Sequence, residues 1–171
     1  MPSQRRINLL LLLITLFALF VRIQYVNQAE FYNPMWGDSR EYADYGYNLY
    51  RHGVFSKDFE TSKPVPDSFR SPGYPFLIYL AFLLGGNNAY YPVIIYTQTI
   101  MGALLVPLSF WIGMRFLSLS WTLSAALLVA ISPHLIAMTS YVLTETLFGF
   151  LVLSTVYFFM VALEKNDSII S

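Results

Sequence analysis

Residues 7–26 read INLLLLLITLFALFVRIQYV, and this stretch decides the class of fold. About 20 consecutive apolar residues suffice for a helix to cross the roughly 30 Å hydrocarbon core of a bilayer. Arg5 and Arg6 precede the stretch, so the positive-inside rule predicts a cytoplasmic N-terminus. The bulky sequence after Val26 lacks the small-residue cleavage site of a signal peptide. We therefore expect a retained transmembrane helix in which Arg22 snorkels outward.

The composition of the whole chain also indicates a membrane protein. Of its 171 residues, 56% are hydrophobic and 12% are charged, whereas soluble domains carry about 25% charged residues. The formal net charge is zero, and no basic run indicates a nucleic-acid partner. The chain has no cysteine, which excludes disulfides, thiolate metal sites and cysteine nucleophiles. We expect an integral protein of the plasma (inner) membrane.

A polar stretch, WGDSREYADYGYNLYRHG, occupies residues 36–53 and follows the first apolar segment. Asp38 with Glu41 three residues later forms a capping-box pattern, and Gly53 is a natural helix stop. The pattern predicts a short amphipathic helix over 39–52 that lies on the outer leaflet with its tyrosines facing the membrane.

Polar residues and closely spaced prolines fill residues 54–70, which indicates an irregular loop. The region 27–70 is therefore predicted to be one external loop that contains the interfacial helix. Residues 72–86 follow it with an apolar core too short for a full crossing, which predicts a re-entrant or short span. Further transmembrane spans are predicted over 91–116, 118–133 and 146–163.

Two topologies remain open at this point. If 72–86 enters the membrane and returns, Arg115 lies on the cytoplasmic side and the loop 132–145 faces outward with Asp38. If 72–86 crosses fully, Glu145 lies on the side opposite Asp38. The length of the segment and the position of Arg115 favour the first arrangement.

The predicted fold is thus all-α, a polytopic transmembrane helical bundle with a short interfacial helix in its first external loop. Membrane enzymes that act on lipid-linked substrates usually have more spans than this. We therefore expect the chain to be the N-terminal part of a longer protein, and inactive alone.

Two charged residues of the first external loop are candidates for chemistry, since ionisable groups at a membrane are often functional. Asp38 suits a general base that activates an acceptor for attack on a sugar carbon, and its competing role is helix capping. Arg70, just before SPGYP, suits forked binding of a phosphate. Its competing role is anchoring at the headgroup level.

Two further candidates lie in the region 132–145. Glu145 could pair with Asp38 around a divalent cation, Mg²⁺ or Mn²⁺, or bind the acceptor. Its competing role is that of an acid in the first turn of a helix. His134 is a candidate metal ligand or substrate contact, and an interfacial structural histidine is the competing interpretation.

Three motifs in this order resemble the N-terminal module of the GT-C superfamily of glycosyltransferases. They are GDSREYADYGYNLYRHGVFS (37–56), FRSPGYPFLIYLAFLLG (69–85) and AISPHLIAMTSYVLTETLFGFLVL (130–153). The pattern is similar to that of protein O-mannosyltransferases and aminoarabinose transferases, glycosyltransferase family 39. Such enzymes transfer a sugar from a polyprenyl-phosphate carrier to an acceptor on the outer face of the membrane.

The resemblance implies a role for each matched residue. It matches Asp38 to a catalytic aspartate, Arg70 to a basic residue that contacts the carrier phosphate, and Glu145 to a second external acid. Ser39 stands where family members often have another acid, and Glu41 is the alternative for that role. Some relatives bind a divalent metal. The polyprenyl-phosphate-linked sugar and the lipid bilayer are the implied partners.

A non-catalytic polytopic subunit and a transporter or flippase fragment are the alternative functions. A transporter is expected to have broken or charged helices near the membrane midplane. The sequence offers Pro107 as a break and no obvious deep acid or base.

Overall fold

A computed structural model of the protein describes residues 3–30, 35–59 and 61–170. The described chain is all-helical, with α1 (Gln4–Gln28), α2 (Asp38–His52), α3 (Gly73–Gly113), α4 (Leu119–Ile131), α5 (Pro133–Met138) and α6 (Glu145–Ile170). Within these described residues, three stretches are long and apolar enough to cross a membrane, namely α1, α3 and residues 145–165 of α6. The predicted class of helical membrane protein is thereby confirmed.

Helix α3 is two helical arms joined at Gly86. This residue has φ 59° and ψ −165°, a combination that only glycine adopts readily. The hydroxyl of Tyr74 donates a 2.6 Å hydrogen bond to Gln98, although these residues would be roughly 36 Å apart in a straight helix. The arm 73–85 therefore packs back along the arm 87–113 as a hairpin.

The return arm of α3 lies antiparallel to α1. Near the end of α1, Asn27 accepts a 2.9 Å hydrogen bond from Tyr96, whereas near its start Leu12 lines a cavity with Trp111. The end of the return arm thus lies at the N-terminal end of α1. The arm is about 40 Å long at 1.5 Å per residue, so it can span a bilayer alone.

Helix α6 in turn runs antiparallel to the return arm. Arg115, just after α3, makes a two-pronged ion pair with Glu164 at 2.7 and 2.8 Å. Glu145, at the other end of α6, therefore lies toward the same end of the bundle as Gln98 and the C-terminal end of α1. We call this the α2 end of the bundle, because α2 packs there.

The predicted span 118–133 is shorter in the structure than expected. Helix α4 has 13 residues, which is about 20 Å of helix and less than a bilayer core. Helix α4 ends before Ser132, whose side chain caps the short helix α5. Pro133 accounts for the break because it lacks the N–H that would continue α4.

The sequence predicted that the tyrosines of α2 face the membrane, but in the structure they pack against protein. Tyr42 and Tyr45 are buried against protein, and the Tyr42 ring meets that of Tyr74 edge-on with centroids 5.3 Å apart. Helix α2 approaches α3 closely because Gly46 lacks a side chain, since a Cβ there would lie 2.5 Å from Ile78. The amphipathic face of α2 is covered by the first arm of α3.

Arg22 is the clearest departure from the sequence prediction. Its side chain is fully buried instead of snorkelling outward. The guanidinium donates to the carbonyls of Ala130 at 3.0 Å and Val129 at 3.2 Å, at the C-terminal end of α4. The Val129 carbonyl has no helical N–H partner because residue 133 is proline. Arg22 supplies the missing donor and joins α1 to α4.

Replacing Arg22 with Met should destabilise the protein by about 2–4 kcal/mol, because buried carbonyls lose charged donors. The measurement is the free energy of unfolding in detergent. Arg51→Met is the control, since Arg51 is exposed on α2. Equal stability of the two variants would contradict the capping role.

Replacing Gly86 with Ala should cost about 1–3 kcal/mol, because an alanine is strained at this positive φ. Gly149→Ala is the matched control, since nothing lies within 4 Å of a Cβ at that helical position. Thermal unfolding of both variants in one detergent compares them. A Gly86→Ala protein as stable as the control would show that the bend does not require glycine.

Candidate functional site

The start of α2 differs from the predicted capping box. Gly37 is the N-cap with φ 58°, and no side chain makes a capping hydrogen bond there. Asp38 is the first helical residue and Glu41 lies in the same turn, where the helix dipole favours negative charge. The Asp38 carboxylate is therefore not used as a cap.

Arg70 binds both of these carboxylates. Its Nε donates to Glu41 at 2.6 Å, and its Nη2 donates to Asp38. The guanidinium also lies over the ring of Tyr42, 5.1 Å from the centroid. The structure thus brings together Asp38, Glu41 and Arg70, three residues that the sequence analysis singled out.

The loop before Arg70 is irregular, as predicted, and is held by side chains. Asn48 of α2 donates to the carbonyls of Ser56 and Asp58, both at 2.8 Å. Asp67 accepts hydrogen bonds from the Tyr45 hydroxyl and from the amide of Lys57 at 2.9 Å. These contacts fix the path of the chain and so deliver Arg70 to the start of α2.

Burial and hydrogen bonding in this network shift the pKa values of Tyr45 and Asp67. Burial, together with the hydrogen bond to Asp67, raises the pKa of Tyr45 to about 12. Burial acts to raise the pKa of Asp67, but hydrogen bonds from Tyr45 and from two backbone amides hold that pKa below its usual range. Asp67 is therefore an ionised anchor of the loop.

A cavity of about 710 Å³ opens beside this site. Arg40, Glu41 and Asp44 of α2 line it, together with Trp36 and the loop residues 57–59. Its volume falls in the range of small-molecule sites, about 300–1,000 Å³. A substrate held there would lie directly against the Glu41 carboxylate that binds Arg70.

Asp44 is the residue that sequence reasoning missed. Burial raises the pKa of Asp44 to about 6, Arg40 opposes the shift and Glu41 adds to it. A strongly shifted carboxyl in a cavity is a marker of functional sites. Its only sequence signal is an acid placed among tyrosines on the face of α2 that packs inward.

Glu145 and His134 form a separate pair. Both side chains line a small cavity of about 60 Å³ between α5 and α6, and both residues are exposed. Glu145 lies within electrostatic range of the Tyr74 hydroxyl, so it is at the α2 end of the bundle. It makes no described contact with Asp38.

The ligands of the expected divalent cation can be sought only among the described residues. Within residues 3–30, 35–59 and 61–165, no three His, Asp or Glu side chains gather as a metal site. Asp38 and Glu41 instead neutralise the Arg70 guanidinium. Mg²⁺ or Mn²⁺ stays a prediction.

Comparison of the chain with protein-family models, with curated proteins and with solved structures gave no match. The class of protein follows from the fold and the site. It is a helical membrane protein with a charged site, Asp38–Glu41–Arg70, at the α2 end of the bundle.

The raised pKa of Asp44 predicts a pH-dependent stability. Since this pKa is about 6 in the folded chain against an ordinary value of 3.8, the folded state binds more protons between these values. The contribution of Asp44 to the free energy of unfolding therefore falls as pH rises through that window. Asp44→Asn should remove this loss.

We expect Asp44→Asn to be more stable than the wild type above pH 6, by on the order of 1–2 kcal/mol. The difference should shrink toward zero near pH 4. Unfolding of both proteins at pH 4 and pH 7 in one detergent measures it. A difference that is the same at both pH values would contradict a desolvated carboxyl at this position.

Proposed function

We propose that the protein is an integral-membrane glycosyltransferase of the GT-C type. It would transfer a sugar from a polyprenyl-phosphate donor to an acceptor at the extracytoplasmic face. The observation that carries the proposal is the contact of Arg70 with Asp38 and Glu41. This reaction needs a cation for the leaving phosphate and a carboxylate for the attacking group, and the two occur together here.

Asp38 has the exposure that a catalytic base needs. Its side chain is 58% exposed, whereas that of Arg70 is 20% exposed. An incoming acceptor can therefore reach the carboxylate while the guanidinium is held in place by Glu41 and Tyr42. Fixed charge beside the reacting atoms lowers the reorganisation that the reaction requires.

The proposed step is an attack of the acceptor on the sugar with loss of the lipid phosphate. The acceptor hydroxyl attacks the anomeric carbon and passes its proton to Asp38 as the new C–O bond forms. The bond from the anomeric carbon to the phosphate oxygen breaks, and the phosphate leaves with the electron pair. Arg70 stabilises that charge. Its Nη1 makes no hydrogen bond within the described chain and is available to a phosphate oxygen.

Two carboxylates share the single arginine, which gives them different roles. Glu41 contacts both Nε and Nη2 and keeps the guanidinium oriented. Asp38 binds Nη2 from the more exposed side. A donor phosphate that approaches Arg70 would displace Asp38 more easily than Glu41 and would leave the base next to the reacting carbon. Glu145 and His134, at the same end, are the proposed acceptor contacts.

Asp38→Asn should reduce sugar transfer by about 10²-fold or more, since a positioned base contributes roughly 10²–10⁴-fold. Binding of the donor should persist because Arg70 and Glu41 remain. Loss of labelled sugar from a polyprenyl-phosphate donor in membranes with the full-length protein measures transfer, and donor binding is measured in the same membranes. Glu164→Gln, at the opposite end of the bundle, is the control.

Undiminished transfer by Asp38→Asn would remove the catalytic assignment. A wild type that itself shows no transfer would favour a non-catalytic subunit. A transporter is the second candidate because Arg22 is a buried cation inside the helix bundle. Hydrogen bonds from its two terminal nitrogens to three backbone carbonyls stabilise the buried charge without a transported substrate, while its Nε has no hydrogen-bond partner among the described residues.

A further inference from the structure

A second cavity, of about 390 Å³, lies between α2 and the bend of α3. Four aromatic side chains, one carboxylate and one amide form most of its lining, namely Tyr47, Phe59, Phe82, Tyr90, Asp44 and Asn87. It shares Asp44 and Phe59 with the larger cavity near Glu41. Asp44 therefore borders two cavities, and one of them is mainly aromatic.

The aromatic lining is held in place by packing. Phe82 is 3% exposed, and its ring stacks on Tyr90 with centroids 4.0 Å apart. The Tyr47 ring meets Phe82 edge-on at 5.7 Å. The three rings come from α2 and from both arms of the α3 hairpin. Because they support one another, the cavity has fixed aromatic walls before any ligand binds.

The charge of this cavity comes from Asp44. None of the cavity's described lining residues is Lys, Arg or His. Arg40 is a cation beside Asp44, and its Nε lies 4.0 Å from the carboxylate, at the limit of an ion pair. The Arg40 side chain is 56% exposed and lies over the exposed ring of Phe59. Arg40 thus pairs only weakly with Asp44, from an exposed position outside the cavity lining.

We propose that this cavity binds an organic ammonium group, with Asp44 as the counter-ion and the aromatic rings as its walls. Aromatic rings attract cations within about 6 Å through their quadrupoles, and several rings around one cation are a recurrent way to bind ammonium ligands. A carboxylate adds a charge-assisted interaction. An anionic or neutral apolar ligand would leave Asp44 desolvated without compensation.

The location suggests where the ammonium comes from. The cavity lies at the α2 end of the bundle, beside the bend at Gly86. Amine-bearing lipid headgroups and soluble amines, including an amine on an acceptor, share the required chemistry. The proposal goes beyond sugar transfer and does not depend on it, because it concerns a second cavity and a different ligand.

The test uses choline and ethanolamine as probes of the full-length protein in phosphatidylglycerol nanodiscs, whose lipid has no ammonium group. Saturation-transfer NMR detects binding and a titration gives the dissociation constant. We expect the wild type to bind both probes. Asp44→Asn should bind choline about tenfold more weakly or worse, because it loses the charged partner.

A second variant and two controls keep the test decisive. Phe59→Leu removes an exposed ring without disturbing the core and should also weaken binding. Phe116→Leu and Glu164→Gln, at the other end of the bundle, should bind choline as the wild type does. The proposal is overturned if the wild type shows no binding, or if Asp44→Asn binds as tightly as the wild type.

Competition identifies the source of the ammonium. If nanodiscs that contain phosphatidylethanolamine displace choline from the wild type, the site takes a lipid headgroup. If they do not and choline still binds, the site takes a soluble amine. Both outcomes support the site, and neither involves the transfer assay, so a failed transferase proposal and a failed ammonium proposal give different results.

Discussion

The side chain of Gln98 makes the hydrogen bonds on which the arrangement of the bundle depends. Its oxygen accepts from the Tyr74 hydroxyl at 2.6 Å, and its amide nitrogen donates to the carbonyls of Tyr141 at 2.8 Å and Thr139 at 3.2 Å. Gln98 is fully buried, and a buried amide without partners would cost about 1–3 kcal/mol. These bonds fix the first arm of α3 and the segment before α6 at one level of the bundle.

The site follows from that hairpin. With Tyr74 held beside Gln98, the first arm of α3 offers Tyr74 and Ile78 to α2, and Gly46 lets α2 approach. The loop that Asn48 and Asp67 anchor then closes onto the start of α2 and brings Arg70 to its carboxylates. The same packing traps Asp44 beside Tyr90. One buried amide thus links the membrane helices to both proposed binding regions.

Features that depend on local sequence were predictable. The apolar run 7–26 lies within α1, and Gly53 ends α2 in the left-handed conformation. The amphipathic pattern of α2 predicted that one of its faces is buried. The pattern did not predict whether lipid or the first arm of α3 covers that face, because both are apolar. The capping box was wrong because Gly37, at positive φ, takes the N-cap position. Asp38 and Arg70 could each be identified from the sequence. Their contact could not, because the two residues are 32 positions apart and the loop before Arg70 brings them together.

The role of Arg22 required tertiary information. An arginine near the end of an apolar run usually reaches the interface. Here the proline at position 133 leaves a carbonyl of α4 without a donor, and the two meet only because Gly102 leaves room for Arg22 between the helices. The environment of Asp44 is similar, since its pKa depends on burial by α3. A single sequence does not show which charged side chains become buried when helices pack together.

The most direct test is the distance between spin labels at positions 76 and 96, both of which are exposed. The chain has no cysteine, so Phe76→Cys and Tyr96→Cys give a unique pair. The hairpin predicts a distance under about 20 Å, since packed helix axes lie 8–10 Å apart. A distance of about 30 Å, which a continuous helix over these residues requires, would contradict the account.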